Sequence, residues 1–179
     1  MVKLIMNPYC VDLNWNIPLL APHVDINIFK KQYHTKGDIE DIHPLMLQHL
    51  ASKGMKISLV ETFYSKPNYI QSIHIDVAGG DYSKLNWVFG GANSLMHWYK
   101  LKTGVSEKLK INSIGKTYSD YDIDQVELIH SQPIGKPSLI QVGIPHNITN
   151  GPEERLCICL VMVNKGRISM QKAIDLLVD

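Results

Sequence analysis

Ile57, Leu59, Glu61 and Phe63 alternate with Ser58, Val60, Thr62 and Tyr64, a period of two that predicts a strand stopping at Ser65-Lys66-Pro67-Asn68. A second strand is expected over about 70–76, followed by a turn at Ala78-Gly79-Gly80-Asp81. The apolar runs at 85–89 and 95–99 read as strands joined through Gly90-Gly91-Ala92-Asn93, an antiparallel meander. Further strands are expected at 125–129, 139–144 and 155–163, the last entered through a turn at Asn150-Gly151-Pro152. Segment 102–122 is polar and poorly periodic, which suits a functional loop or a loop carrying a small hairpin that covers the mouth of a barrel.

Helical spacing is confined to two short stretches. Pro44 precedes Leu45, Met46, Leu47 and Leu50, with Gly54 just beyond, so proline at the start and glycine past the end bound a helix over 44–53. Ser169 precedes Met170, Ala173, Ile174 and Leu177, a short amphipathic helix at the C-terminus. Residues 1–43 are broken by Pro8, Pro18 and Pro22 and read as a covering arm with one or two strands. Roughly seven or eight strands with helices near the two ends describe a mainly β fold, a double-sheet jelly roll with helices packed outside, in one domain spanning 1–179.

Composition narrows the partners. The chain has 179 residues and a formal net charge of +1, with both signs spread along it, so neither a nucleic-acid-binding tract nor an acidic arm is present. Cys10, Cys157 and Cys159 cannot all pair, and the last two are too close on one strand for an ordinary disulfide, which suits a reducing, cytoplasmic setting. No apolar run approaches the length of a signal peptide or a membrane span.

The candidate chemistry lies in His74-Ile75-Asp76, with His146 and Arg155 far downstream. Residues two apart on a strand share a face, so His74 and Asp76 project into one cavity as a pair of metal ligands, and His146 completes the set. Two imidazoles and one carboxylate on one face of an octahedron leave three positions open, the arrangement of a non-haem Fe(II) site that holds a co-substrate and O₂ together. An arginine beside such a site matches the far carboxylate of a dicarboxylic 2-oxo acid bidentately. Alternation places Arg155, Cys157 and Cys159 on one inward face and Leu156, Ile158 and Leu160 on the other. The Asn150-Gly151 turn is expected to set His146 and Arg155 on neighbouring antiparallel strands. His23-Val24-Asp25 also fits the ligand-pair pattern but follows Pro22 in an irregular stretch. His97, beside Trp98 and Tyr99, is a weaker third imidazole, and His34, His43, His49 and His130 read as surface or cap residues.

Together Val60-Glu-Thr-Phe-Tyr64, Ile73-His-Ile-Asp76, Leu85-Asn86, Trp98-Tyr99 and Pro145-His146-Asn147-Ile-Thr-Asn150 leading to Arg155 resemble the Fe(II)- and 2-oxoglutarate-dependent oxygenases, over about 44–163. The likeness is to the small prolyl- and aspartyl-hydroxylase-like proteins of phage and bacteria. It implies a double-stranded β-helix, iron held by His74, Asp76 and His146, and the 5-carboxylate of 2-oxoglutarate held by Arg155, with Asn86 and Tyr64 as further co-substrate contacts. It also implies hydroxylation of a small molecule or an amino-acid side chain by O₂, with release of succinate and CO₂. The chain departs from many relatives at Val77-Ala-Gly-Gly-Asp81 and Asn86-Trp87-Val88, where they carry Asn, an aliphatic residue and Pro. A cupin-like jelly roll that binds metal or ligand without catalysis is the alternative that the residues leave open.

Overall fold

The computed structural model describes residues 7–76, 80–135 and 137–178. Among them twelve strands form two six-stranded antiparallel sheets. In chain order the strands are β1 (Cys10–Asp12), β2 (His34–Gly37), β3 (Lys56–Ser65), β4 (Ile73–Ile75), β5 (Ser83–Gly90), β6 (Leu95–Leu101), β7 (Lys108–Ile111), β8 (Thr117–Tyr121), β9 (Val126–Pro133), β10 (Ser138–Gln141), β11 (His146–Thr149) and β12 (Arg155–Val163). The first sheet runs β1-β10-β5-β12-β3-β2 and the second β7-β8-β4-β11-β6-β9, a β-sandwich. Two helices, α1 (Pro44–Ser52) and α2 (Met170–Leu177), complete the described elements of regular α-helix. None is long and apolar enough to cross a membrane.

Period-two alternation in β12 explains the layering. Leu156, Ile158, Leu160 and Met162 are all nearly inaccessible and pack, with Leu85 and Trp87 of β5, under Met46 and Leu50 of α1 and Ile174 and Leu177 of α2. Each such side chain contributes roughly 1.5–3 kcal/mol by leaving water, so this outer core is what fastens the helices to the first sheet. The opposite face of β12 turns inward: Cys157 packs with Val88, Met96, Trp98, Ile140 and Ile148 between the sheets. That inter-sheet core fills only part of the gap, and the remainder is the cavity described below. Both helices are capped as their sequences dictate. His43 Nδ1 accepts from Leu45 N ahead of Pro44, and Ser169 Oγ accepts from Lys172 N.

The N-terminal arm supplies both outer strands of the first sheet, β1 against β10 and β2 against β3. Segment 102–122 carries a hairpin, β7 and β8, which extends the second sheet beyond β4. β1 and β2 match the one or two strands expected of the arm, and β7 and β8 the small hairpin allowed for in 102–122, whereas β11 lies beyond the strand expected at 139–144, which ends at Gln141 as β10. The turn expected at 78–81 lies in part outside the described residues.

Two expected pairings do not form. β5 and β6 are not a meander: β5 lies in the first sheet and β6 in the second. Gly90, Gly91 and Asn93 have φ of 67°, 70° and 62°, and this run of left-handed backbone carries the chain across the sandwich. Likewise β11 and β12 are not neighbours, because the Asn150-Gly151 segment also crosses between sheets. The two corners pack against each other. Ser94 Oγ donates to Asn150 Oδ1 at 2.5 Å, and Gly91 N donates to Glu154 O at 2.8 Å. Asn150 Nδ2 in turn donates to Lys66 O and Glu153 O, which satisfies its buried amide. His146 and Arg155 therefore face the same interior from opposite sheets.

Candidate metal centre and its cavity

β11 lies between β4 and β6, and its register sets His146 directly opposite His74. Directly opposed residues project to the same face, which brings the two rings to 4.5 Å between centroids. Asp76 follows one residue after β4, and its Oδ1 stands 3.3 Å from His74 Nε2. One ligand atom from each of His74, Asp76 and His146 lies within 4.8 Å of the others.

The hydrogen bonds of the two rings decide what they offer. His74 Nδ1 is 2.9 Å from Ser72 O, and His146 Nδ1 is 2.9 Å from Ile144 O. A carbonyl oxygen can only accept, so each Nδ1 carries the proton and each Nε2 keeps its lone pair in the neutral ring. That is the backbone anchoring by which proteins orient metal-binding histidines. Burial, and then the neighbouring His74, press the pKa of His146 down from 6.5 to about 4, so it is neutral at physiological pH. Two lone-pair nitrogens and a carboxylate form a donor set that suits a divalent transition metal.

A buried lysine, which the sequence reading did not single out, stands behind the carboxylate. Lys84 is 5% exposed, and its Nζ lies 2.6 Å from Asp76 Oδ2 and 2.6 Å from Glu61 Oε2. Burial, the largest single influence, would raise Asp76 and lower Lys84, but their mutual attraction together with His74 and His146 on the carboxyl and Glu61 on the ammonium prevails: the carboxyl falls well below its ordinary range and the ammonium rises well above its own. Burial likewise acts to raise Glu61, and Lys84 together with the His34 hydrogen bond lowers it on balance. Asp76 is thus held charged, with Oδ2 on Lys84 and Oδ1 turned to the imidazoles. A readable signal existed: Lys84 shares the parity of Asn86 and Val88 on β5, and Glu61 that of Phe63 on β3.

Beside the triad is a small chamber of about 50 Å³, lined by the triad itself, Lys84, Asn86 and Arg155 among others. Arg155 is 4% exposed, makes no ion pair among the described residues, and its Nε has no hydrogen-bond partner. Asn86 Oδ1 is buried without a partner in the same chamber. Arg155 Nε is a donor and suits an acceptor group in this chamber, whereas Asn86 Oδ1 is an acceptor and calls for a donor.

Several expected residues lie elsewhere. Tyr64 is a correction: it pairs with Leu156 on the outer face of the first sheet and donates to Glu154 Oε1 at 2.5 Å, so it cannot reach a ligand beside Arg155. His34 is also corrected, being buried and stacked on Phe63 at 4.3 Å with Nε2 3.6 Å from Glu61 Oε1. His97 lies on the outer side of the second sheet, bonded to Ser131 Oγ and Thr149 Oγ1, and joins no ligand set. Asp25 caps a short 3₁₀ turn at Ile26–Phe29, which removes His23-Val24-Asp25 from the metal candidates. The three cysteines are buried and unpaired.

His74 and Asp76 also line a larger cavity of about 1120 Å³. Its walls come from the inward faces of β3 and β12 and from the β7–β8 hairpin, and Tyr118 of β8 meets His74 edge-on at 6.0 Å.

No family model matches the chain, and no curated protein does. Among solved structures, Peruvianin-I, a cysteine peptidase from Thevetia peruviana latex, aligns over 91% of this chain and 97% of its own at 12% identity with a TM-score of 0.33. A likeness that slight carries no argument about fold or chemistry.

Proposed function

We propose that this chain is an Fe(II)- and 2-oxoglutarate-dependent dioxygenase that hydroxylates a substrate side chain or small molecule. One observation carries the reading: the directly opposed His74 and His146, with Asp76 beside them, share an interior with a buried Arg155 that meets no carboxylate among the described residues. Strand pairing supports the fold that this reading needs. Leaving out β1, β2, β7 and β8, the pairs β3·β12, β4·β11 and β5·β10 are those of one long hairpin folded at its middle, closed at the bend by β6·β9. Rolled up, such a hairpin is a double-stranded β-helix, or jelly roll.

His74, Asp76 and His146 would hold the iron, and Arg155 with Asn86 would hold 2-oxoglutarate. Bound there, iron and 2-oxoglutarate supply the oxidative decarboxylation to succinate and CO₂ by which O₂ is used to hydroxylate a C–H bond. The chain's own part is placement. Carbonyls of Ser72 and Ile144 fix the faces of the two imidazoles, and Lys84 keeps Asp76 ionised and presents one oxygen. The Arg155 fork, desolvated between the sheets, binds a carboxylate more strongly than an exposed one would. Cys157, Cys159, Met96 and Ile148 wall the chamber with apolar atoms that exclude water. Three unpaired buried thiols fit a reducing, cytoplasmic setting.

Anaerobic addition of Fe(II) and then 2-oxoglutarate tests the assignment. A weak visible charge-transfer band is expected only with both present, and its absence would remove the dioxygenase reading in favour of a jelly roll that binds without turnover. Arg155→Ala should weaken 2-oxoglutarate by about 10-fold or more, on the order of 1.5–3 kcal/mol for a charged hydrogen-bonding group, and leave Fe(II) affinity nearly unchanged. Equal loss of both would reject its role.

A further inference from the structure

The outer cavity is acid-free at its mouth. Of its lining carboxylates, Glu61 and Asp76 are both held by Lys84 deep inside. Toward solvent the lining cations are Lys36, Lys116 and Arg167, and none of the three meets a carboxylate among the described residues. They come from three separate elements. Lys36 on β2 pairs with Glu61 and so projects from the cavity face. Lys116 sits in the β7–β8 turn, which Asn112 Oδ1 fixes by accepting from Ile114 N and Lys116 N. Arg167 bridges back to Val163 and lies over the Tyr82 ring at 5.6 Å, so its guanidinium is oriented. By contrast Lys108 and Lys110, on the same hairpin, are neutralised by Asp122 and Asp120.

Between mouth and centre the wall is aliphatic, through Leu59, Val161, Val163 and Ile114. The volume of about 1120 Å³ exceeds what one small metabolite fills, since pockets for such ligands run to roughly 300–1,000 Å³. Two strand edges border the opening: β2 and β7 end their sheets, and Ser113 Oγ of the hairpin donates to His34 O of β2. On β7, Leu109 and Ile111 are 63% and 74% exposed. Open strand edges offer main-chain hydrogen bonds, which a polypeptide can use and a metabolite or nucleic acid cannot use in the same way.

We propose that the outer cavity receives an acidic peptide segment, its carboxylates on Lys36, Lys116 and Arg167 and one side chain directed down the aliphatic wall to the metal centre. This deepens the dioxygenase reading and rests on it only for what happens to that side chain. Binding is separable from chemistry, so the test uses the full-length protein without metal. Fluorescent ten-residue peptide pools, each with Glu, Gln or Lys fixed at alternate positions, are titrated by anisotropy. Glu pools should bind at least 10-fold more tightly than Lys pools at low salt, with the gap shrinking at 0.5 M salt. K36E/K116E/R167E should reverse the preference, and the neutral K36Q/K116Q/R167Q should abolish it while keeping the wild-type circular dichroism. The proposal is overturned by equal binding of all pools or by an acidic preference that survives both triple variants. Displacement of the peptides by micromolar free glutamate, or tighter binding of a single-stranded oligonucleotide than of any pool, would also overturn it. A chain that passes here yet shows no charge-transfer band keeps the peptide site and loses the dioxygenase.

Discussion

Lys84 has no counterpart in a bare list of ligands, yet it controls the charge of the site. It neutralises two largely buried carboxylates that would otherwise repel each other. Lys84→Met should therefore cost about 3–5 kcal/mol in urea unfolding, the penalty of leaving buried charges without their partner. Lys84→Met combined with Glu61→Met should recover a good part of that loss, because one of the stranded charges goes with it. Additive losses in the double variant would mean that Lys84 acts by packing alone. The convergence of the candidate triad was readable because His74-Ile75-Asp76 keeps its meaning under a small error in strand length: β4 spans only Ile73–Ile75, and Asp76 still reaches the imidazoles. Lys84 was passed over, since a lone lysine in an alternating strand ordinarily marks the solvent face, and its parity with Asn86 on β5 was the one local sign to the contrary.

The elements were legible as elements and less so as neighbours. Both helices fall within a residue or two of expectation, since proline, serine and glycine signals at their ends are local. The pairing of β5 with β6, and of β11 with β12, failed because glycine-rich turns serve equally to fold a strand back on itself or to carry it to the facing sheet. What separates the two outcomes is contact between corners that are about 60 residues apart in sequence, such as Gly91 with Glu154. Gly91 also sets the position of Arg155. Its φ is 70°, and a Cβ there would stand 2.8 Å from both Cβ and Cγ of Arg155. Gly91→Ala should lower stability by about 1–3 kcal/mol through strained backbone. It should also weaken 2-oxoglutarate more than Fe(II), which paired titrations of the variant would measure. Unchanged co-substrate affinity would show that the corner does not position the guanidinium.

At the scale of the whole molecule, the metal-free protein should lose stability in acid through His146. Its native pKa of about 4 lies below the ordinary 6.5, so the unfolded chain takes up a proton first. The stabilisation is complete above pH 6.5 and is lost as pH falls from 6.5 to 4, on the order of 3 kcal/mol. Thermal unfolding across that window checks it, and His146→Gln should flatten the slope. Sheet order has another consequence. β12 sits between β3 and β5 at the centre of the first sheet, so the last of the twelve described strands in chain order is the one that joins the two halves already synthesised. Until Arg155 to Val163 has left the ribosome, β3 and β5 each present a bare edge, and the cavity beside the His74, Asp76 and His146 triad lacks the wall that β12 supplies. The nascent chain must then wait, exposed to chaperones and proteases, and a product ending short of this strand would be prone to aggregate rather than settle into a partial fold.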